Sequence, residues 1–200
     1  MTESGKQRII LIDLLRGIAI ALMFIYHFCF DLTYFGYTDF RFNSDPFWLN
    51  FRALIVSSFL GVVGFSLYLA HHKQWRRQAW LKRVGILVLA SMAVSGSSYL
   101  MYPKSFIFFG ILHFIALASI LGIPFVRLGY LNLLLGTVIL LIGNYYAHPI
   151  FNQAGLQWIG LMTEGPITED YVPLFPWFGM ILIGMGLAWW SQNNQWLDRL

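Results

Sequence analysis

Apolar residues run along this chain in long stretches broken by short polar punctuation, and only the ends and connections collect charge. A helix needs about 20 apolar residues, with ~17 as a lower limit, to cross the hydrocarbon core of a bilayer. Six stretches meet that length: Ile9–Leu32, Asn50–Ala70, Val84–Met101, Ser105–Val126, Tyr130–Ala147 and Leu174–Trp190. Pro103 precedes the fourth, Pro124 closes it, and Pro173 and Pro176 open the sixth. The pattern predicts an all-α fold, a polytopic integral-membrane bundle of six transmembrane helices forming a single domain over residues 1–200. The connections at Thr33–Leu49 and His148–Pro173 are long and carry aromatic, amide and acidic residues, which suits a short cap on one side of the bundle.

Composition supports lipid as the solvent. Residues of the hydrophobic set make up 58% of the chain and charged residues only 11%, against about 25% charged in a soluble domain. Mean hydropathy is +0.64. An ordinary soluble enzyme, a disordered chain and a disulfide-built secreted scaffold are excluded, and the lone Cys29 leaves no intramolecular disulfide or multi-cysteine metal site. The first apolar run contains Asp13 and Arg16 and is not followed by a small-x-small site, so it does not read as a cleavable signal peptide.

The net charge of +4 points to membrane topology, and no nucleic acid is expected. Lys6, Arg8, Arg16, Arg127, Arg199 and the run Lys73, Arg76, Arg77, Lys82, Arg83 share one side of the predicted bundle, while Arg41, Arg52 and Lys104 share the other. Basic residues collect in cytoplasmic loops, so both termini are expected in the cytoplasm.

Four ionisable residues interrupt the first span: Asp13, Arg16, His27 and Asp31. At about 100° per residue they fall within about 60° of one helix face. Such groups are costly in lipid and mark function by default, so the stripe is expected to line the bundle interior or a cavity. Asp13 and Arg16, three apart, read as a buried pair: either a structural ion pair or the inner end of a ligand channel. His27 and Asp31, four apart, place a carboxylate beside an imidazole, the arrangement of a general base and its stabiliser. Arg16 and His27 are separated by about 16 Å along the axis, enough for an extended ligand. Lys73, Arg76, Arg77, Lys82, Arg83 and Arg127 rim the cytoplasmic entrance and suit phosphates, or serve topology and anionic lipid. His113 in the fourth span, reckoned about 12 Å deep on a helix starting at Ser105, is a second catalytic candidate, an acceptor contact or a packing donor. Arg52 is a candidate to stabilise an oxyanion or neutralise Asp31. His71, His72 and His148 read as interfacial and solvated.

The opening Arg8-Ile9-Ile10-Leu11-Ile12-Asp13-Leu14-Leu15-Arg16-Gly17-Ile18-Ala19, with His27 and Asp31-Leu32 following, resembles the bacterial heparan-alpha-glucosaminide N-acetyltransferase catalytic-domain family within the wider group of transmembrane acyltransferases. The blocks Phe108–Ala116 and Pro173–Met180 fit it too, so the resemblance covers nearly the whole chain. It implies a multi-pass protein of the bacterial cytoplasmic (inner) membrane that moves an acyl group, typically acetyl, from cytoplasmic acetyl-CoA or another acyl-CoA to a sugar or amino-sugar on the far side. It also implies His27 as the base. Membrane lipid is an expected partner, and a homodimer is compatible with the pattern. Two other classes remain open on residue types alone: a b-type haem protein with His27 and His113 as axial ligands, and a transporter or structural membrane protein, although no internal repeat is visible.

Overall fold

The computed structural model describes residues 10–194; Lys6, Arg8, Ile9 and Arg199, which entered the reading above, lie outside them. The described residues form six α-helices: α1 (Ile10–Tyr34), α2 (Pro46–His71), α3 (Arg77–Met101), α4 (Ile111–Leu121), α5 (Leu131–Tyr145) and α6 (Leu174–Asn193). α1, α2, α3 and α6 are long and apolar enough to cross a membrane. α4 and α5, with 11 and 15 residues, are shorter than a bilayer crossing requires as helix alone.

Local chemistry accounts for the start of α2. Asp45 stands at its N-cap, its side chain accepting from the Phe47 N–H at 2.8 Å, with Pro46 in the first helical turn. The carboxylate satisfies a backbone donor that the helix cannot, and proline lacks one to satisfy. The preceding connection is anchored by aromatic packing: the rings of Phe42 and Trp48 lie 4.4 Å apart, and both residues are buried.

α6 is the centre of the bundle, packed along α2 on one side and α5 on the other. Leu60 and Leu67 of α2, Phe114 of α4, and Ile181, Leu182 and Met185 of α6 are fully buried. Between apolar helices in lipid there is little hydrophobic drive, so close backbone approach and van der Waals contact do the holding. α2 and α6 meet in this way: a side chain at Gly64 would run into the Ile181 backbone, and one at Gly184 into the Gly61 carbonyl. α1 instead leans chiefly on α2, and α3 on α4. Ile18 and Ile25 of α1, away from its charged face, and Leu89 and Leu100 of α3 are exposed, as lipid-facing residues should be.

The fourth apolar stretch departs from expectation. It is not helical from Ser105; helix begins only at Ile111, and a 3-10 turn over Ile123–Arg127 follows it. Segment 105–110 runs beside segment 168–172: Phe109 and Tyr171 form a parallel bridge, the Glu169 N–H donates to the Ser105 carbonyl, and the Val172 N–H to the Phe109 carbonyl. Serines of α3 supply further partners. Ser98 Oγ accepts the Ile107 N–H at 3.0 Å, and Ser95 Oγ donates to the Ile107 carbonyl at 2.6 Å. Non-helical backbone among apolar helices is tolerable because protein groups satisfy it.

The glycine contacts give opposite expectations for two residues one turn apart. Gly61→Ala puts a methyl into open space and gains helix propensity of up to about 1 kcal/mol. Gly64→Ala forces α2 off α6, at about 1–3 kcal/mol for an overpacked site. Thermal unfolding in detergent should therefore show Gly61→Ala at or above the parent midpoint and Gly64→Ala below it.

Candidate active site

The polar face of α1 borders its contact with α2. Ile12 and Ala19 are the buried residues of α1, and the stripe through Asp13, Arg16, His27 and Asp31 lies about a quarter turn away. Its two ends meet different neighbours, Arg83 of α3 at one and Tyr102 with Asp170 at the other. The end carrying the 72–76 connection is called the basic end here, and the opposite one the acidic end.

At the basic end Arg16 donates through Nη1 to Asp13 Oδ1 at 3.3 Å and through Nη2 to Ser66 Oγ of α2 at 2.6 Å. The two side chains are 47% and 38% exposed within the chain, so the expected burial of this pair is corrected: both are part-exposed. Arg16 also faces Arg83 of α3, and Arg83 and Arg76 face His71 at the end of α2. Lys73, Arg76, Arg77, Lys82 and Arg127 are exposed, Arg83 half-buried. His71 and His72 are not solvated as read from sequence. The Nδ1 of His71 and the Nε2 of His72 are buried without a hydrogen-bond partner, and His72 stacks on Tyr68 at 4.8 Å. His148 caps a 3-10 turn, accepting the Ile150 N–H at 3.2 Å.

At the acidic end, the exposed His27 shares an electrostatic neighbourhood with Arg52 of α2, His113 of α4 and Asp170 of the connection before α6, all of them felt by the Asp170 carboxylate. Arg52 also interacts with the Tyr26 hydroxyl. Asp31 lies near Tyr102, the residue that ends α3, together with Tyr34 and Glu169. Among these, Asp170 was not singled out by sequence. It lies 59 residues from its partner, the Ile111 N–H, which donates to Oδ2 at 2.8 Å. The carboxylate thereby caps the first turn of α4. The cap depends on Gly110, where any side chain would collide with Asp170 and Ile107. Burial raises the Asp170 carboxyl above the usual carboxylate range, and the Ile111 N–H and nearby His27, His113 and Arg52 partly offset this.

His113 sits in the first turn of α4, so the depth reckoned along a helix from Ser105 does not apply. Its Nδ1 accepts the Gly110 N–H at 3.3 Å, and its Nε2 lies 3.0 Å from Ser95 Oγ. Because Nδ1 accepts, the ring proton belongs on Nε2 and is donated to Ser95, whose own hydroxyl donates to Ile107. Nδ1 thus closes the first turn of α4 and Nε2 ties α4 to α3, which leaves His113 no nitrogen for an axial haem bond. Ser91, Ser95 and Ser98 share one face of α3 by helical spacing, a signal in the sequence that went unread.

Residues 8–200 match the family described as "Heparan-alpha-glucosaminide N-acetyltransferase, catalytic". The chain belongs to this family. No curated protein and no solved structure matches it. Membership makes the protein a membrane acetyltransferase of the N-acetyltransferase type, with apolar helices suited to lipid. For such an enzyme the two clusters, set at the two ends of one face of α1, are the candidate site.

The raised Asp170 carboxyl has a signed consequence. The folded state holds this proton more tightly than the unfolded chain, so its contribution is complete below the ordinary carboxylate range. It is lost as pH rises through that range to Asp170's own raised value. Asp170→Asn keeps an acceptor for the Ile111 N–H and removes the titration. Unfolding midpoints measured across acidic pH should fall less steeply with rising pH in the variant than in the parent.

Proposed function

We propose that this acetyltransferase moves an acyl group, acetyl in the simplest case, from acyl-CoA at the basic end to a sugar or amino-sugar acceptor arriving at the acidic end. In this reading the chain crosses a bacterial cytoplasmic membrane six times, α4 and α5 doing so together with their adjoining non-helical segments, and the basic end and both termini face the cytoplasm. The observation that carries it is that one face of α1 reaches a cationic cluster containing Arg16 and Arg83 at one end and an acid–base cluster containing His27 at the other. The asymmetry of basic residues supports the orientation.

Lys73, Arg76, Arg77, Lys82, Arg83 and Arg127 are the residues to receive donor phosphates. Their fit rests on charge: α3 starts with arginines, has no acidic residue in its first turn and has no side-chain cap bond. That helix end is already positive, and an anion there relieves the repulsion. Arg16, steadied by Asp13 and Ser66, forms the entry to the cleft.

The exposed ring of His27 acts as the base. It takes the proton from the acceptor's amine or hydroxyl as that atom bonds to the acyl carbon. The carbon–sulfur bond then breaks, and the proton passes to the leaving thiolate. Asp31, one turn on, and Asp170, across the cleft, stabilise the imidazolium. Arg52 stabilises the oxyanion. His113, with both nitrogens committed, serves by holding α4 in place.

His27→Ala should abolish acyl transfer, by about 10²–10⁴-fold, while CoA affinity in isothermal titration stays near the parent value. Asp31→Asn should reduce turnover less. His113→Ala should lower the unfolding midpoint, and any loss of turnover should follow the folded fraction. A His27→Ala enzyme with parent turnover would contradict the assignment.

A further inference from the structure

The junction between α2 and α3 carries more than charge. The His71 and Trp75 rings lie 5.1 Å apart, and those of Trp75 and Trp80 5.4 Å apart. Trp80 is fixed by its indole N–H, which donates to the Ser119 carbonyl of α4 at 2.8 Å. Trp75 is 44% exposed, leaving ring surface free. Beside these rings lie two imidazole nitrogens, His71 Nδ1 and His72 Nε2, buried and without partners. His72 Nδ1 lies 3.1 Å from the Tyr68 carbonyl. A carbonyl can only accept, so Nδ1 carries the proton and Nε2 is an acceptor waiting for a donor. Arg76 and Arg83 face His71, and Arg16 faces Arg83.

We propose that this junction is a recognition site for a purine nucleotide: the base stacks against Trp75 within the His71–Trp75–Trp80 row, its polar edge meets the unpartnered imidazole nitrogens, and its phosphates meet Arg76, Arg83 and Arg16. The inference rests on the acyl-CoA reading above and names the part of the donor that the basic end grips first. Each feature demands something different of a ligand. The guanidiniums ask for phosphate, and a phospholipid headgroup would satisfy them as well. The aromatic row asks for a planar π surface, and the buried nitrogens ask for hydrogen-bonding partners. A headgroup phosphate supplies neither. Interfacial tryptophans commonly belong to an aromatic belt, but belt membership explains neither a row of rings ending on histidine nor buried nitrogens left open. The row sits next to α3's uncapped, cation-rich first turn, which places base and phosphate sites side by side.

The test uses the full chain in nanodiscs, with tryptophan fluorescence and isothermal titration as readouts and CoA, adenosine 3′,5′-bisphosphate and pantetheine as probes. CoA and the bisphosphate should bind competitively and quench fluorescence, and pantetheine should not displace the bisphosphate. Trp75→Ala, a change at a half-exposed residue in a connection, should weaken both nucleotides by about tenfold or more, and Trp75→Phe should restore most of the loss. Parent affinity for CoA in Trp75→Ala overturns the purine site and leaves the acyl-CoA reading standing. Displacement of the bisphosphate when anionic lipid replaces zwitterionic lipid in the nanodisc, with Trp75→Ala again without effect, assigns the arginines to headgroups and overturns it too. Failure of the parent protein to bind CoA at all overturns the donor reading beneath it.

Discussion

An ionisable side chain at the centre of a lipid-solvated helix costs about 3 kcal/mol on insertion scales. Asp13, Arg16, His27 and Asp31 lie toward the two ends of α1, where the cost is smaller but is borne four times over on one helix. α1 carries all four on one face, so that face must be answered by other helices or by water. The answers come at the two ends. Ser66 takes a guanidinium hydrogen bond from Arg16, with Arg83 nearby. Near the other end Arg52, Asp170 and Tyr102 gather around His27 and Asp31. Between the ends α1 shows apolar side chains to lipid and only a narrow buried seam to α2.

This constraint separates the molecule into a closely packed part and a polar part. α2, α6 and α5 pack through glycine contacts and fully buried apolar side chains, and they need no polar group to hold together. α4 is tied in by a different device, the Asp170 cap and the His113–Ser95–Ile107 relay. Against that scaffold α1 and α3 form the flanks that hold the charged clusters. A face available to two substrates has to stay loosely covered, and binding geometry held on packed helices is more exact than geometry held on loops. The polar face of α1 meets both conditions: it is set on a continuous helix and remains open.

Periodicity made α1 legible. Residues spaced by three and four report a common face wherever the helix sits, and Asp13 and Arg16 do meet. Hydropathy likewise located the long helices. What escaped it depends on partners distant in sequence. Apolar character alone made Ser105–Gly110 look like helix, because hydrophobic runs do not distinguish a helix from an extended segment whose hydrogen bonds are met by α3 and by residues 168–172. Asp170 looked like one more acid in a loop, since nothing near it announces that it caps a helix 59 residues away. His113 drew attention as an ionisable group inside a span, yet both its ring nitrogens are taken up by hydrogen bonds to Gly110 and Ser95. His71 and His72 looked solvated because they border a basic run, yet the turn into α3 buries a nitrogen of each.

The central claim is that one polar helix face carries chemistry from one side of a membrane to the other. Sealed vesicles with the protein inserted in one orientation test it most directly, with labelled acetyl-CoA confined to the side of the Lys73–Arg83 loop and an amino-sugar acceptor confined to the opposite side. Label should appear on the acceptor across the intact bilayer, with none when the two compartments are exchanged. Transfer that occurs only when donor and acceptor share a compartment would contradict a site joined through α1.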